Sequence, residues 1–501
     1  MSTLRRFAGH TLIYGLSTIV ARIMNFILTP LLANKYPPST YGVFGYLYSW
    51  AAMLNAFLAF GMETTFFRYL QKRADEKEKV YANTFLITLF TSALLLLTLF
   101  VSFDAVAGYL QRQFADKDLA FYLKVFVFIL IADALAVIPF ARIRAEGRPI
   151  RFACIKLANI ATFVGLNLLF ILVIPWLIER NGIGADWLAR WYRPGWIGYV
   201  FLSNLTASVI TLLMLIPEIL KLQLKWDGAL VKDMLGYSFP ILIANFSFIV
   251  NENLDKLLLK ELLPQETSAR DVGIYTMCSK LAVFMSIAVQ AFRLGAEPFF
   301  FSYAKEKNAG SVYSVIMDYL IIAMSVAMVG LVANIEILKF FTRGGTLEAR
   351  MEYWSGLPIV PILIMAYVFL GVYMNLSIWY KLSDQTRYGV YISGFGAIVT
   401  IVLNFVLIPR YGYIASAWIT LTTYGSMMVL SYILGQRHYP IPYHLKKNIT
   451  YLAMAAVISW MSFSVFHRDL IIGNVLFILF LLFTFLMERK QLAILLGKRD
   501  R

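Results

Sequence analysis

The sequence predicts an all-α membrane protein of about fourteen transmembrane helices, arranged as two pseudo-symmetric six-helix bundles followed by two further helices. Three observations carry this expectation: an apolar composition, the recurrence of membrane-length windows, and an internal repeat. Apolar residues make up 60% of the 501 and charged residues only 15%, which is too oily for a domain whose surface must be solvated by water. A helix needs roughly 20 mainly apolar residues to cross a hydrocarbon core of about 30 Å. Windows of that kind recur from end to end, and the loops between them are too short to hold a soluble domain.

The spans fall at about 8–33, 40–62, 82–103, 119–142, 152–178, 196–220, 234–260, 272–300, 311–337, 357–380, 389–409, 412–435, 448–466 and 470–487. The first carries Arg22 and Asn25 in its middle and lacks a small-residue cleavage site, so it reads as a retained span rather than a signal peptide. Cys154 and Cys278 both lie inside spans, which leaves no disulfide framework and no cysteine-based metal site; no metal is expected.

The net charge of +16 would suit a nucleic-acid partner, but no soluble basic domain exists to carry such a surface, and none is expected. The positive residues sit in short loops. With a cytoplasmic N-terminus, about 26 of the 45 Lys and Arg residues fall on the cytoplasmic side and about 14 outside, so positive charge inside places both termini in the cytoplasm. Arg68, Lys72, Arg73, Lys77 and Lys79 after span two, Arg142, Arg144, Arg148 and Arg151 after span four, and the tail from Arg489 to Arg501 make the asymmetry. Each cluster reads as a topology and headgroup anchor.

The repeat organises the chain. YGVFGY (Tyr41 to Tyr46) and GMETTFFRYLQKRADEK from Gly61 return as VGIYTM (Val272 to Met277) and LGAEPFFFSYAKEKN from Leu294, while Glu63, Tyr69 and Pro175 reappear 234 residues later as Glu297, Tyr303 and Pro409. Spans one to six therefore match seven to twelve. The expected units are 1–225, 226–440 and an appendage of two helices with a basic tail at 441–501. Six is even, so both halves enter the membrane in the same sense, related by an axis along the membrane normal with a cavity near the midplane between them.

The opening TLIYGLSTIVARIMNFILTPLLANKYPPSTYGVFGYLYSW (Thr11 to Trp50), the segment FGMETTFFRY (Phe60 to Tyr69) and their second-half copies resemble the polysaccharide flippase family of the Wzx, O-antigen type. That family lies within the superfamily that also holds the lipid II flippases and the multidrug and toxic compound extrusion transporters. The resemblance implies a protein of the bacterial inner membrane that carries undecaprenyl-diphosphate-linked oligosaccharide from the cytoplasmic to the periplasmic leaflet, by alternating access, for surface polysaccharide. It implies membrane lipids, a polymerase and glycosyltransferases as partners. The outer loop at 179–195, with its Trp and Arg residues, departs from the family's usual pattern.

Arg22, Lys124, Lys156, Lys280 and Arg293 lie within spans, where a lipid-facing cation costs about 2.5 to 3.5 kcal/mol near the bilayer centre. Lys124 and Lys156 are close enough to span ends to snorkel. Arg22, Lys280 and Arg293 lie deeper, and with Asn25 they are the expected substrate-binding residues, Arg being suited to a diphosphate by its permanently charged, two-pronged donor. Arg22 has an alternative as the partner of an acid such as Asp133. Lys280 and Arg293 are thirteen residues apart and point about 140° from each other on one helix, so they do not share one phosphate.

Asp133, Asp318, Glu252 and Asp255 are the candidates for coupling to H⁺ or Na⁺, since a buried carboxylate exchanges protons or coordinates a cation. Glu252 and Lys256 are spaced i, i+4 and also read as a self-neutralising pair. The repeated Glu63 and Glu297, beside aromatic runs at the cytoplasmic edge, read as gating groups. Trp187, Trp191, Tyr192 and Trp196 read as an interfacial belt. The sequence holds no phosphate-binding glycine loop, zinc-type His spacing or activated nucleophile, so no enzyme and no cofactor are expected. Two alternatives stand beside the flippase. An ion-coupled drug-type exporter would line its cavity with acids or aromatics, and a polysaccharide polymerase or ligase would carry a large catalytic outer loop.

Overall fold

The computed structural model describes residues 20, 23–24 and 26–495, apart from 183, 224, 305, 307 and 384, with backbone alone at 74, 294–295, 297–298, 301–302 and 490–495. Among the described residues every regular element is a helix, and twelve helices are long and apolar enough to cross a membrane. After the helical stretch at 26–35, the long elements are α1 (Pro38–Ala59), α2 (Met62–Lys72), α3 (Lys77–Phe114), α4 (Leu119–Ala145), α5 (Pro149–Leu168), α6 (Ala185–Trp191), α7 (Gly198–Ile219) and α8 (Gly228–Leu262). They are followed by α9 (Gln265–Tyr303), α10 (Ala309–Ala333), α11 (Leu347–Ser355), α12 (Ile359–Leu376), α13 (Arg387–His438), α14 (Leu445–Trp460) and α15 (Leu470–Leu495).

The expected count of about fourteen follows from these twelve. α13 is 52 residues long and contains Gly412 at φ 61° and ψ −147°, a conformation open to glycine and closed to side chains. The chain reverses there, because the Thr400 and Thr423 hydroxyls, about equally far from Gly412 in sequence, lie 3.0 Å apart. α13 is thus spans eleven and twelve as an antiparallel pair, with Asn251 of α8 buried against both: it accepts from Thr400 at 3.1 Å and touches Met427 Sδ at 3.6 Å. Most of span one lies outside the described residues.

The duplication is visible as a reciprocal contact. A Cβ on Gly42 of α1 would sit 1.9 Å from the Ala269 carbonyl of α9, and a Cβ on Gly273 of α9 would sit 1.8 Å from the Pro38 carbonyl of α1. Gly42 corresponds to Gly273 and Pro38 to Ala269, so each half presents the same glycine to the same partner, as a two-fold axis requires. Around it Tyr46 donates to Glu261 at 2.8 Å, Tyr109 donates to the same carboxylate, and the buried Lys260 ammonium donates to the Gln113 carbonyl at 2.8 Å and to Ser268 at 2.6 Å. One end of the interface between halves is closed by these bonds.

The halves differ at the other end. Phe60 (φ 45°) and Gly61 (φ 66°) break span two between α1 and α2, where a Cβ on Gly61 would lie 3.0 Å from Ile241. In the second half α9 runs unbroken through the corresponding Gly295. At this basic end the fully buried Glu218 carboxylate gathers Arg148 at 2.9 Å, Arg151 at 3.0 Å and Lys221 at 3.3 Å. Asp227 caps α8 by accepting from the Leu230 amide at 3.0 Å, and Lys79 at 2.6 Å holds its carboxyl below the usual carboxylate range.

α14 and α15 dock on α10 of the second half. Small residues allow close approach at one end: a Cβ on Gly473 would lie 3.0 Å from the Ala333 carbonyl, beside the Asn334 and Asn474 amides that meet at 3.2 Å. At the basic end His444 lies 2.8 Å and Lys447 3.7 Å from Asp318, and Lys447 and Tyr451 reach Glu488 at 2.8 and 3.0 Å.

Candidate functional site

A polar cavity of about 430 Å³ opens inside the first half, between α2, α4, α5 and α7. Helical periodicity builds it from three faces. Asp133, Val137, Phe140 and Arg144 follow at i, i+4, i+7 and i+11 on α4; Phe152, Lys156 and Asn159 at i, i+4 and i+7 on α5; Asn204, Ser208 and Thr211 at the same spacing on α7, which is the repeat of one helix face. Arg144 lies at the basic end and Asp133 eleven residues deeper, about 16 Å along the helix. The crevice therefore reaches from the basic surface to about mid-membrane.

Its polar groups are held by one another. Ser208 donates to Asp133 at 2.7 Å, Asn159 to Thr211 at 2.9 Å, and Asn204 to the Tyr48 hydroxyl of α1 at 2.6 Å. Arg144 pairs with Glu63 and lies 5.0 Å over Phe67, while Lys156 lies 4.6 Å over the Phe140 ring. Two cations, two carboxylates and four neutral hydrogen-bonding side chains thus line one cavity in the low-dielectric interior. Such a lining suits a solute rich in hydroxyls and amides that carries a compact charge.

Of the expected substrate residues, Arg22 and Asn25 lie outside the described residues. Lys280 lies at the interface between halves, 5.4 Å from the Tyr41 ring and 5.5 Å from the Phe44 ring of α1. Arg293 lies further along α9 in a separate, tight pocket with Asn375 and Lys381, so the two cations occupy different places. Asp133 lines the cavity. Asp255 accepts from Tyr275 and lies 3.5 Å from Lys256, whose ammonium also donates to the Glu252 carbonyl at 3.1 Å. Asp318 has no i, i+4 cation on its own helix, yet His444 and Lys447 reach it from the C-terminal pair. Glu63 lines the cavity mouth; for Glu297 the helical backbone alone is described.

Lys156 and Arg144, read from sequence as a snorkelling lysine and a topology anchor, are cavity residues, and Asn159, Asn204, Ser208 and Thr211 went unremarked. The signal that could have found them is the i, i+4, i+7 polar stripe inside an apolar span on α7, with the i, i+3 pair of Lys156 and Asn159 on α5.

This architecture has known relatives. A lipid II flippase, MurJ, in an inward closed conformation superposes with a TM-score of 0.73 at 13% identity, covering 96% of this chain and 100% of that one. An inward-facing multidrug resistance transporter of the MATE family gives 0.60 at 12% identity, over 83% and 94%. A transporter of the same superfamily from Pyrococcus furiosus gives 0.52 at 12% identity, over 85% and 95%. In sequence, "Lsg locus putative protein 1" of Haemophilus influenzae is 30% identical over 88 residues, a segment that spans 18% of this chain and 21% of that protein. The model of the family described as "Polysaccharide biosynthesis protein" matches residues 8–303, more than half of the sequence. A multi-pass membrane chain with the fold of these transporters and that match belongs to the polysaccharide biosynthesis protein family.

Proposed function

We propose that the protein flips an undecaprenyl-diphosphate-linked oligosaccharide from the cytoplasmic to the periplasmic leaflet by rocking its two halves about the glycine contact of α1 and α9. The observation that carries this reading is the cavity of the first half, open toward the basic face and lined by Arg144, Lys156, Asn159, Asn204 and Ser208, in a member of a polysaccharide family. The basic face is cytoplasmic by the distribution of Lys and Arg. Sugar hydroxyls and acetamido groups pair with the amides and hydroxyls. The diphosphate meets the deep cations in turn, Lys280 at the interface between halves and Arg293 inside the second half, with Arg22 and Asn25 as the further substrate contacts. Glu63, held by Arg144, gates the cavity mouth, with Glu297 in the corresponding role.

Energy enters as H⁺ or Na⁺ at a carboxylate. Asp133 is the first choice, because it alone of Asp133, Asp318, Glu252 and Asp255 lines the cavity; one charge moved through 100 mV supplies about 2.3 kcal/mol. The test is transport of a lipid-linked oligosaccharide in proteoliposomes under imposed proton, Na⁺ or potential gradients, for wild type, Asp133→Asn and Asp318→Asn. Gradient-dependent flipping lost in Asp133→Asn is expected. Absence of any oligosaccharide flipping would overturn the assignment of cargo, and flipping equal under all gradients would overturn coupling. Ion-coupled export of a small molecule is a second reading, favoured by the cavity's about 430 Å³, within the range of small-molecule sites.

A further inference from the structure

On the face opposite the arginine-rich loops, a pocket of about 510 Å³ lies between the end of the first span and the loop from span nine to span ten, lined by Pro30, Asn34, Phe340, Arg343, Gly345 and Arg350 among others. Its wall is a close approach that glycine permits: a Cβ on Gly344 would lie 2.5 Å from the Arg350 amide, and one on Gly345 2.1 Å from the Asn34 carbonyl. The loop is held rigid from both sides. Thr346 caps α11 by accepting from the Ala349 amide at 3.1 Å, and Trp354 donates to the Lys339 carbonyl at 3.1 Å.

Arg343 and Arg350 both line this pocket, and among the described residues neither forms an ion pair with a carboxylate. Of the nearby acids, Glu336 is engaged with Lys339 and with Arg468 at 3.4 Å and Glu352 with Arg270 at 3.8 Å, while Glu348, in the first turn of α11, makes no ion pair with either arginine. Arg350 Nε is buried without a hydrogen-bond partner. An uncompensated pair of arginines is costly to hold together unless an anion joins them, and the forked guanidinium donor matches phosphate oxygens. Around the pocket Ile337, Phe340, Leu347 and Met351 each leave more than half of their surface exposed. Cations beside exposed apolar side chains are the signature of the headgroup layer.

We propose that this pocket binds the phosphate of a membrane lipid in the leaflet on that face, with Arg343 and Arg350 on its oxygens and the apolar rim against its acyl or prenyl chain. The site does not depend on what the transport cavity carries. A bulk phospholipid and a polyprenyl diphosphate share this chemistry and are separated by experiment.

Native mass spectrometry of the full chain released from detergent, with phosphatidylglycerol, farnesyl diphosphate or inorganic pyrophosphate added singly, reads retention directly. Wild type should retain a phosphate-bearing lipid, and Arg343→Gln/Arg350→Gln should retain roughly tenfold less or lower still, the effect of losing at least one charge-assisted hydrogen bond. Arg190→Gln, on another loop of the same face, should match wild type. Preference for phosphatidylglycerol assigns the site to bulk lipid, and preference for farnesyl diphosphate to a diphosphate lipid; either supports the proposal. Binding of pyrophosphate alone, no retained lipid, or equal retention by the double variant overturns it. The exposed Arg343→Gln single variant, with a thermal melt beside wild type, guards against a folding defect in the double variant.

Discussion

Replacing Gly273 by alanine tests the interface between halves at its tightest point. The new Cβ would stand 1.8 Å from the Pro38 carbonyl oxygen, and ordinary structures do not bring such atoms within 3.0 Å. Both contacting groups are backbone, so no side chain can turn aside, and α1 and α9 must part by about 1.2 Å at this end. The Tyr46–Glu261 and Lys260–Gln113 hydrogen bonds, each 2.8 Å, would then lengthen beyond bonding range. Overpacking costs about 1–3 kcal/mol and each lost hydrogen bond about 0.5–1.5 kcal/mol. A penalty of about 2 kcal/mol or more on the closed end shifts a two-state equilibrium by roughly thirtyfold. Spin labels at Asp186→Cys and Glu348→Cys, on loops of that face in the first and second halves, report the change in a background with Cys154 and Cys278 replaced by serine. Gly273→Ala should add a longer distance component, and Gly42→Ala should do the same because the contact is reciprocal. Unchanged distances in both variants would refute the glycine contact as the closure of this end.

Three further outcomes follow from named residues. Membrane-impermeant thiol labelling from outside should reach Asp186→Cys and not Lys77→Cys; the opposite pattern would invert the orientation taken from the charge count. Glu218→Ala should destabilise the protein by about 1–3 kcal/mol, the loss of charge-assisted hydrogen bonds between a buried carboxylate and the partly exposed Arg148, Arg151 and Lys221, seen as a lower melting temperature in detergent; an unchanged melting temperature would show that the three cations find other partners. Asp227→Asn should lower the melting temperature at neutral pH. Because Lys79 and the Leu230 amide hold the Asp227 carboxyl below its ordinary value, its contribution is present above the unfolded value of about 3.9 and is lost as pH falls through the lower folded value. The difference between wild type and Asp227→Asn should therefore vanish on acidification, and a difference that persists below pH 2 would refute the assignment.

The span order, the turn between the last two spans of the second half, and the duplication were all readable as hydrophobic period and repeated words. Gly42 and Gly273 were quoted within the repeats, but their role was not legible, since a glycine letter does not say whether it serves a turn, a bend or a close approach. The site was half legible. Asp133 stood out because charge inside a span is costly, and Glu63 because it returns in the repeat as Glu297. Their neighbours Asn159, Asn204, Ser208 and Thr211 did not, because a neutral polar residue can satisfy itself on its own helix, as Thr211 does on the Ala207 carbonyl at 2.9 Å, and only the packing of three faces shows that they meet. The partners of Asp318 were not legible for the complementary reason. The i, i+4 rule sees one helix, and its partners His444 and Lys447 arrive from a segment more than 120 residues away.

What duplication preserved and what it let diverge have a common physical cause. The contact of Gly42 and Gly273 is made by both halves at once, so a larger residue in either copy separates the same two helices. The interior of each half carries no such coupling: a side chain that fills the space between α4, α5 and α7 closes one cavity without touching the other half. The first half keeps an open polar crevice of about 430 Å³, whereas around Arg293, Asn375 and Lys381 the second retains about 20 Å³, room for little more than a water molecule. The break at Phe60–Gly61 lies just before Glu63 and so next to that crevice, while α9 runs straight through the equivalent position. A helix broken beside a cavity can turn its basic end without dragging the outer end that holds the glycine contact, because two left-handed residues interrupt the hydrogen-bond ladder that makes a helix a rigid rod. The asymmetry therefore sets the helix break beside the crevice of the first half and leaves the corresponding helix of the second half continuous.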